Sequence, residues 1–295
     1  MRCYLDLLQQ ILEHGEEVPT GAFLPSQNRQ PHALTILGAQ FRHDLATGFP
    51  AVTTKKFYFE SMVKEILWFL RGETNTETLG CGIWDQWAGK DGRPEGECGP
   101  IYGATWRHWN YLTPGCPLMS VGGAFDQVTH LVEDLKAVAA DPYNRARRRI
   151  ILTGWNPPLV PLMGLPPCHT LAQFLPTNGR LNCHCFWRSI DAPVGMPFNI
   201  GQYAFLTHLF AGVAGLKPGV LVASVTDLHI YDNQHDMVRE QLSRAPLPHP
   251  QLEIDPEVWQ RAPDFTVEQV RSLTPEMFRL KGYSSYGPLR CEVAV

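Results

Sequence analysis

The sequence contains no uninterrupted apolar run of about eighteen residues, so no segment is predicted to cross a membrane. Its first residues, M-R-C-Y-L-D-L-L, lack the apolar core of a signal peptide. The net charge of −4 provides no excess of basic side chains, which nonspecific binding to nucleic acid requires. These absences predict a cytoplasmic protein without a membrane or nucleic-acid partner.

The eight cysteines include no C-x-x-C pair, and they are too few to form a disulfide scaffold in a chain of 295 residues. Cys183 and Cys185 fall on a predicted strand, whose alternation would point both sulfurs to one face. We therefore expect free thiols in a reducing compartment and no metal site.

Hydrophobic residues make up 44% of the chain and charged residues 18%, which predicts a substantial buried core. No internal repeat or independent second unit emerges, so residues 1–295 are expected to form a single domain. Apolar periodicity predicts helices over 4–14, 57–71, 124–139 and 198–215, and strands over 34–41, 150–155 and 220–225. The glycine-rich and aromatic segment 76–130 is predicted to consist of loops around short helices.

The richest stretch runs from residue 166 to residue 203. Pro166 and Pro167 place Cys168 at a strand start or edge, and Asn178-Gly179 predicts a hairpin between strands 170–175 and 180–187. Cys168 would then lie beside Arg188 and Ser189 on the neighbouring strand. A guanidinium lowers the pKa of a nearby thiol and also binds phosphate, so this pair predicts a nucleophile next to an anion site. The alternative is a buried structural cysteine beside a surface arginine.

Other residues carry chemistry by type and position. Glu65 lies in an apolar helix, where desolvation would raise its pKa unless it is paired, although an exposed helix charge is the common alternative. Asn199 offers both a donor and an acceptor to the edge of a planar base. His229 and Tyr231 alternate onto one face if extended, where both could bind a sugar hydroxyl. The basic run 145–149 opens a predicted strand and would ordinarily be a solvated face.

Several separated motifs follow one another along nearly the whole chain. They are G-F-P-A-V-T-T-K-K (48–56), E-I-L-W-F-L-R-G-E-T-N (65–75), I-W-D-Q-W (83–87), G-P-I-Y-G-A-T-W-R (99–107), R-R-I-I-L-T-G-W-N (148–156), P-C-H (167–169), R-S-I-D (188–191), G-M-P-F-N-I (195–200) and D-L-H-I-Y (227–231). Together and in this order, they resemble the thymidylate synthase family. The resemblance implies an α/β (α+β) fold in which a large mixed sheet is flanked by helices and packs at a homodimer interface.

The resemblance also implies reductive methylation of dUMP to dTMP with 5,10-methylenetetrahydrofolate as cosubstrate. Cys168 would add to carbon 6 of the base, Glu65 would organise water and proton transfer, and Tyr102 would help remove the proton from carbon 5. The remaining implied roles are uracil recognition by Asn199, phosphate binding by Arg188 and Ser189 with Arg148 and Arg149 from the partner chain, 3′-hydroxyl binding by His229 and Tyr231, and folate contacts from Lys55, Trp84 and Asp191. The C-terminal residues 281–295 would close over the substrates.

One region departs from the family pattern. The family has an Arg-Thr-Gly-rich phosphate loop where this chain reads S-Q-N-R-Q-P-H-A (26–33), without glycines, so Arg29 is the candidate substitute for the loop arginine. The change suggests an alternative, a pyrimidine 5-hydroxymethylase acting on dUMP, dCMP or CMP. A non-catalytic nucleotide- or RNA-binding relative is another alternative. A thiol hydrolase using Cys168 and His169 is disfavoured, because adjacent strand residues point to opposite faces.

Overall fold

The computed structural model describes residues 1–110 and 124–295, and the part of the predicted loop region that spans 111–123 lies outside the described residues. The helices are α1 (Arg2–His14), α2 (Phe59–Leu70), α3 (Tyr102–Arg107), α4 (Gln127–Ala140), α5 (Gly195–Val213), α6 (His235–Ser243), α7 (Glu257–Arg261) and α8 (Val267–Arg271). The strands are β1 (Glu16–Pro19), β2 (His32–Asp44), β3 (Trp109–Asn110), β4 (Ala124–Phe125), β5 (Ile151–Thr153), β6 (His169–Thr177), β7 (Arg180–Asp191), β8 (Lys217–Tyr231), β9 (Gln251–Ile254) and β10 (Phe278–Lys281).

A six-stranded sheet in the order β1-β2-β8-β7-β6-β5 forms the centre of the fold. Its neighbouring strands are antiparallel except for β7 and β8, which run parallel, so the predicted large mixed sheet is confirmed. The predicted hairpin joins β6 to β7, and Asn178 and Gly179 adopt the positive φ values of 50° and 71° that its tight turn requires. This hairpin brings the chain before β6 alongside the end of β7.

Helix α5 is buried on nearly all sides, as its continuous apolar sequence predicts, and it packs on β7, β8 and α2. Gly201 allows a close approach here, because a Cβ at this position would lie 2.7 Å from Cζ of Phe57. The first part of α5 is therefore held against the segment that leads into α2.

Two predicted boundaries are wrong for local reasons. Helix α4 begins at Gln127 rather than at residue 124, because the Asp126 side chain accepts hydrogen bonds from the backbone of Val128 and Thr129 and caps the helix. The basic run does not open a long strand: it forms a 3-10 helix, Arg145–Arg148, capped by Asn144, and β5 has only three residues.

The alternation of buried residues in the two parallel strands shifts near the end of each strand. In β8, Ala223 and Val225 are buried, and then Leu228 and Ile230 are buried, so the pattern moves by one residue between them. Strand β7 shifts in the same way after its buried residue 187. The shift moves the polar residues at the ends of β7 and β8 onto a shared face.

The C-terminal residues 282–295 form no regular element but are docked on the rest of the chain. Val295 exchanges backbone hydrogen bonds of 2.7 and 2.9 Å with Phe23, and the Glu292 carboxylate accepts one of 2.6 Å from the Ser26 backbone. The tail therefore packs against the loop that departs from the expected phosphate motif.

Cys183 and Cys185 point to the same buried face, as predicted, with their sulfurs 3.5 Å apart. Within residues 1–110 and 124–295, every cysteine is a free thiol and no group of three or more His, Cys, Asp or Glu side chains is arranged to hold a metal ion. No described helix is long and apolar enough to traverse a bilayer.

Candidate active site

Cys168 immediately precedes β6 and is held by its own backbone. Its N–H donates to the Tyr102 hydroxyl at 2.8 Å, and its carbonyl accepts from the Arg188 N–H at 2.9 Å. The Arg188 Nη2 atom lies 3.9 Å from the Cys168 sulfur. The predicted placement of Cys168 beside Arg188 on the adjacent strand is confirmed.

The Arg188 guanidinium is oriented by the two prolines before the cysteine. Nε donates to the Pro167 carbonyl at 2.8 Å and Nη2 to the Pro166 carbonyl at 2.9 Å, while the guanidinium lies over the Trp155 ring at 5.6 Å from its centroid. Among the described residues, Nη1 has no hydrogen-bond partner. This nitrogen is available to an anionic ligand.

The pKa of the Cys168 thiol is raised rather than lowered. Burial is the largest cause; Arg188 opposes it, and the carboxylates of Asp191 and Asp227 add to the rise. Arg188 lowers the pKa of the thiol as predicted, but removal from water outweighs this one guanidinium. The thiol needs further help to ionise.

A chain of hydrogen bonds runs from Trp84 through Glu65 to Asn199. The Trp84 Nε1–H donates to Glu65 Oε1 at 2.7 Å, and Gln202 Nε2 donates to Glu65 Oε2 at 2.7 Å. The Asn199 Nδ2–H in turn donates to Gln202 Oε1 at 2.9 Å. Glu65 is 7% exposed, and burial raises its pKa to about 7 against the opposing hydrogen bond from Trp84. The predicted pKa rise is confirmed, and the alternative of an exposed charge is wrong.

The sequence interpretation missed Gln202. Its signal was its spacing: Gln202 follows Asn199 by three residues on α5, and residues at this spacing share one face of a helix. Only the packing of α2 against α5 shows that Glu65 completes the contact.

Tyr102 lies between the cysteine and a buried histidine. Its ring stacks on His169 with centroids 4.0 Å apart and an interplanar angle of 9°. Burial raises the pKa of Tyr102 well above its usual range, so it stays a phenol. Burial also lowers the pKa of His169 to about 3, and its Nδ1 lies 2.8 Å from the Tyr203 hydroxyl. A neutral His169 engaged in this way is a packing residue and is a poor base for a thiol hydrolase.

The ends of β7 and β8 bring together a second polar cluster around Asp227. Ser189 donates to Asp227 Oδ2 at 2.8 Å, and Thr35 donates to Oδ1 at 2.6 Å. The His229 Nδ1 atom lies 3.3 Å from Oδ2, off the axis of a hydrogen bond. Tyr231 packs edge-on against His229 with ring centroids 4.9 Å apart, so the prediction that both residues share a face is confirmed.

The charges of the Asp227 cluster stabilise one another. Burial alone would raise the pKa of Asp227, but His229, Thr35 and Ser189 outweigh it and hold that pKa well below its usual range. Burial would lower the pKa of His229, but Asp227 and Asp191 outweigh it and raise that pKa. Asp227, like Gln202, was not singled out from the sequence as a site residue.

The family model for thymidylate synthase matches residues 2–295, which is essentially the whole chain. The chain belongs to the thymidylate synthase family. Membership of the thymidylate synthase family places it among folate-dependent enzymes that transfer a one-carbon unit to carbon 5 of a pyrimidine nucleotide.

Of the three residues expected on the folate side, Lys55 and Asp191 are neighbours, whereas Trp84 is bonded to Glu65. The Asp191 carboxylate accepts from the Val194 backbone at 2.9 Å and from Gln234 Nε2 at 2.7 Å, and burial raises its pKa. Lys55 is buried and donates to the Pro193 carbonyl, and burial lowers its pKa. The Asp191 carboxylate is half-buried and can still accept further hydrogen bonds.

Three other arginines were candidate phosphate ligands from the sequence. Arg29 forms a bidentate ion pair with Asp232, at 2.7 and 2.8 Å, rather than presenting a free guanidinium. Arg148 and Arg149 are exposed, and neither side chain makes an ion pair or hydrogen bond with another described residue. No hydrogen bond or ion pair of the described residues joins any of these three arginines to Cys168, and Arg188 is the cation that acts on its thiol.

Proposed function

We propose that residues 1–295 act as one catalytic unit that converts dUMP to dTMP by reductive methylation. The observation that carries this proposal is the arrangement of Cys168 beside Arg188 and on the hydroxyl of Tyr102. A binding module has no need of a thiol supported by a cation and a buried phenol. The cosubstrate, 5,10-methylenetetrahydrofolate, would supply both the carbon and the hydride.

The chain's own residues divide the work by position. The Cys168 thiolate would add to carbon 6 of the base, which turns carbon 5 into a nucleophile. The Tyr102 hydroxyl accepts a hydrogen bond from the Cys168 backbone N–H. It would therefore lie next to the attacked ring, where it could help remove the proton from carbon 5. Glu65, with its pKa of about 7, is suited to exchange protons near neutral pH. Asn199 would bind the uracil edge.

Substrate binding would rest on Arg188 rather than on the altered loop. The Nη1 atom of Arg188 has no hydrogen-bond partner in the described chain and could bind the phosphate. The same guanidinium would then act on both the phosphate and the Cys168 thiolate, and the bound phosphate would weaken its stabilisation of the thiolate. Ser189 has one hydroxyl hydrogen, now given to Asp227, which it would redirect to the phosphate. His229 and Tyr231 would hold the 3′-hydroxyl, with Lys55, Trp84 and Asp191 on the folate side.

We also propose a homodimer that completes the phosphate site. Phe186 and Ile151 are 45% and 41% exposed on the same face of the sheet, an arrangement that suits burial against a second copy. Arg148 and Arg149 precede β5 at the edge of this sheet and are free to reach across. In the dimer they would bind the phosphate held by the partner chain's Arg188.

Mixing inactive subunits would test this dimer. A Cys168→Ser subunit and a subunit with Arg148→Ala and Arg149→Ala should each be inactive alone. In an equal mixture, half of the dimers would be mixed and each would contain one intact site, so about a quarter of wild-type activity should return. No recovery after exchange would contradict the shared site.

The altered loop favours one second candidate, a pyrimidine 5-hydroxymethylase. Arg29, the candidate substitute for the loop arginine, is engaged in an ion pair with Asp232. In that reaction the nucleophile and folate are the same, but water rather than hydride completes the transfer.

Mass spectrometry of products would separate these functions. Purified protein would be incubated with 5,10-methylenetetrahydrofolate and an equal mixture of dUMP, UMP, dCMP and CMP, with Cys168→Ser as the control. We expect a methyl gain on dUMP alone, with dihydrofolate formed. A hydroxymethyl gain, or a modified cytosine nucleotide, would support the second candidate. Failure to form a covalent adduct with 5-fluoro-dUMP and folate would favour a non-catalytic nucleotide-binding relative.

A further inference from the structure

Gln202 is a buried amide whose two ends bind two different site residues. It is 1% exposed, its Nε2 donates to Glu65 and its Oε1 accepts from Asn199. Gln202 lies on α5 and Glu65 on α2, so the amide joins two helices across the site. Its role is unassigned by the reaction described above.

The direction of this chain of hydrogen bonds is dictated by its first member. The Trp84 indole can only donate, so Glu65 Oε1 must accept. An ionised Glu65 has no hydrogen to give, so its second oxygen also accepts, and Gln202 must turn its NH2 group toward it. The carbonyl end of Gln202 then faces Asn199 and obliges Asn199 to donate.

This order matters because an asparagine amide can flip. Uracil presents an N–H donor at position 3 and a carbonyl at position 4, whereas cytosine presents an acceptor and an amino group at the same positions. One orientation of Asn199 matches uracil, and the orientation rotated by about 180° matches cytosine. An unrestrained Asn199 could bind either base.

We propose that Gln202, held by Glu65 and Trp84, fixes the orientation of the Asn199 amide and thereby restricts the site to uracil. This inference rests on the proposed function, in which Asn199 binds the base. Gln202 is a positioning residue: it touches no substrate and acts through Asn199. If the Asn199 amide rotated, its carbonyl would face the carbonyl of Gln202, and the free-energy cost would be about that of a lost hydrogen bond.

The test is the ratio of binding constants for dUMP and dCMP, measured by calorimetry at about pH 8.5, where Glu65 is ionised. The wild-type protein should prefer dUMP. Gln202→Met keeps the length of the side chain but removes both polar ends, so Asn199 is released and the preference should fall by about tenfold, with dCMP bound more tightly than by the wild type. Gln241→Met is the matched control, because Gln241 is equally buried but lies on α6 and bonds to Thr54.

A second variant covers the case in which Gln202→Met fails to fold. In Glu65→Gln, the new carbonyl must still accept from Trp84, so the new NH2 group faces Gln202 and the order of donors and acceptors reverses along the chain. The preference for dUMP should again fall. In this variant the Asn199 amide is held in the opposite orientation, whereas in Gln202→Met it is released.

The outcomes separate this inference from the proposed function. The inference is overturned if variants that still bind dUMP keep the wild-type ratio of dUMP to dCMP affinity, or if the affinities for both nucleotides fall in parallel. The hydrogen bonds from Trp84 to Asn199 would then not set base selectivity, while the proposed function would stand. If the wild-type protein binds neither nucleotide, the proposed function fails and the inference fails with it. A wild-type preference for dCMP would overturn the assignment of uracil.

Discussion

Replacement of Glu65 by glutamine is expected to stabilise the protein at alkaline pH. Burial raises the pKa of Glu65 from its ordinary value of 4.5 to about 7. Between these values the folded chain keeps a proton that the unfolded chain has lost, so stability falls as pH rises through this window. Each pKa unit corresponds to about 1.36 kcal/mol, so the ionised carboxylate costs about 3 kcal/mol above pH 7, and the neutral variant avoids that cost.

Urea denaturation at fixed protein concentration measures this effect. The stability of Glu65→Gln relative to the wild type should rise by about 2 to 3 kcal/mol between about pH 5 and about pH 8.5. Glu60→Gln is the control on the same helix: Glu60 is exposed and pairs with Lys64, so its effect should stay within about 0.5 kcal/mol. A pH-independent difference between Glu65→Gln and the wild type would refute the reasoning, because it would show that Glu65 carries no desolvation cost. The loss of activity that should accompany the gain would mark Glu65 as a group kept for function.

Three further substitutions test other contacts. Tyr102→Phe removes the acceptor of the Cys168 backbone N–H, and thermal denaturation should show a loss of about 1–3 kcal/mol, while an unchanged stability would mean that this bond is dispensable. In Asp227→Asn, the pKa of His229, followed by NMR, should drop. The charged imidazole stabilises the fold below about pH 6.5 and loses this effect as pH rises through its raised pKa, so the variant should lose that stabilisation. An unchanged pKa of His229 would contradict its pairing with Asp227. Gly201→Ala should destabilise by about 1–3 kcal/mol in urea, because the added methyl meets an aromatic ring at 2.7 Å, and a stabilised variant would show that the ring gives way.

The nucleophile and its cation were predictable because their placement depends on local rules. Two prolines, a turn of Asn178 and Gly179 and two alternating segments define the β6–β7 hairpin, and a hairpin sets its own register. Cys168 and Arg188 therefore had to be neighbours. The same reasoning applies to α5, whose apolar sequence on all sides predicts a buried helix.

The balance of charge at the site was not predictable in the same way. The sequence predicts that Arg188 lowers the pKa of Cys168, and it does, but the larger rise due to burial depends on how much water the complete fold excludes. The pairing of Arg29 with Asp232 joins residues about two hundred positions apart, and no local pattern indicates it. The shared face of Ser189 and Asp227 depends on coordinated shifts at the ends of two strands that are distant in sequence.

The sequence by itself determined the family, the hairpin that carries the nucleophile and the helices that bury the core, because motif spacing, turn residues and apolar periodicity act over short distances. Only the tertiary structure decided which side chains form hydrogen bonds with one another. Glu65 and Gln202 are 137 positions apart, and only the packing of α2 against α5 makes their carboxylate and amide partners. Hydrogen bonding and desolvation act between neighbours in space, so these properties of the site follow from the fold.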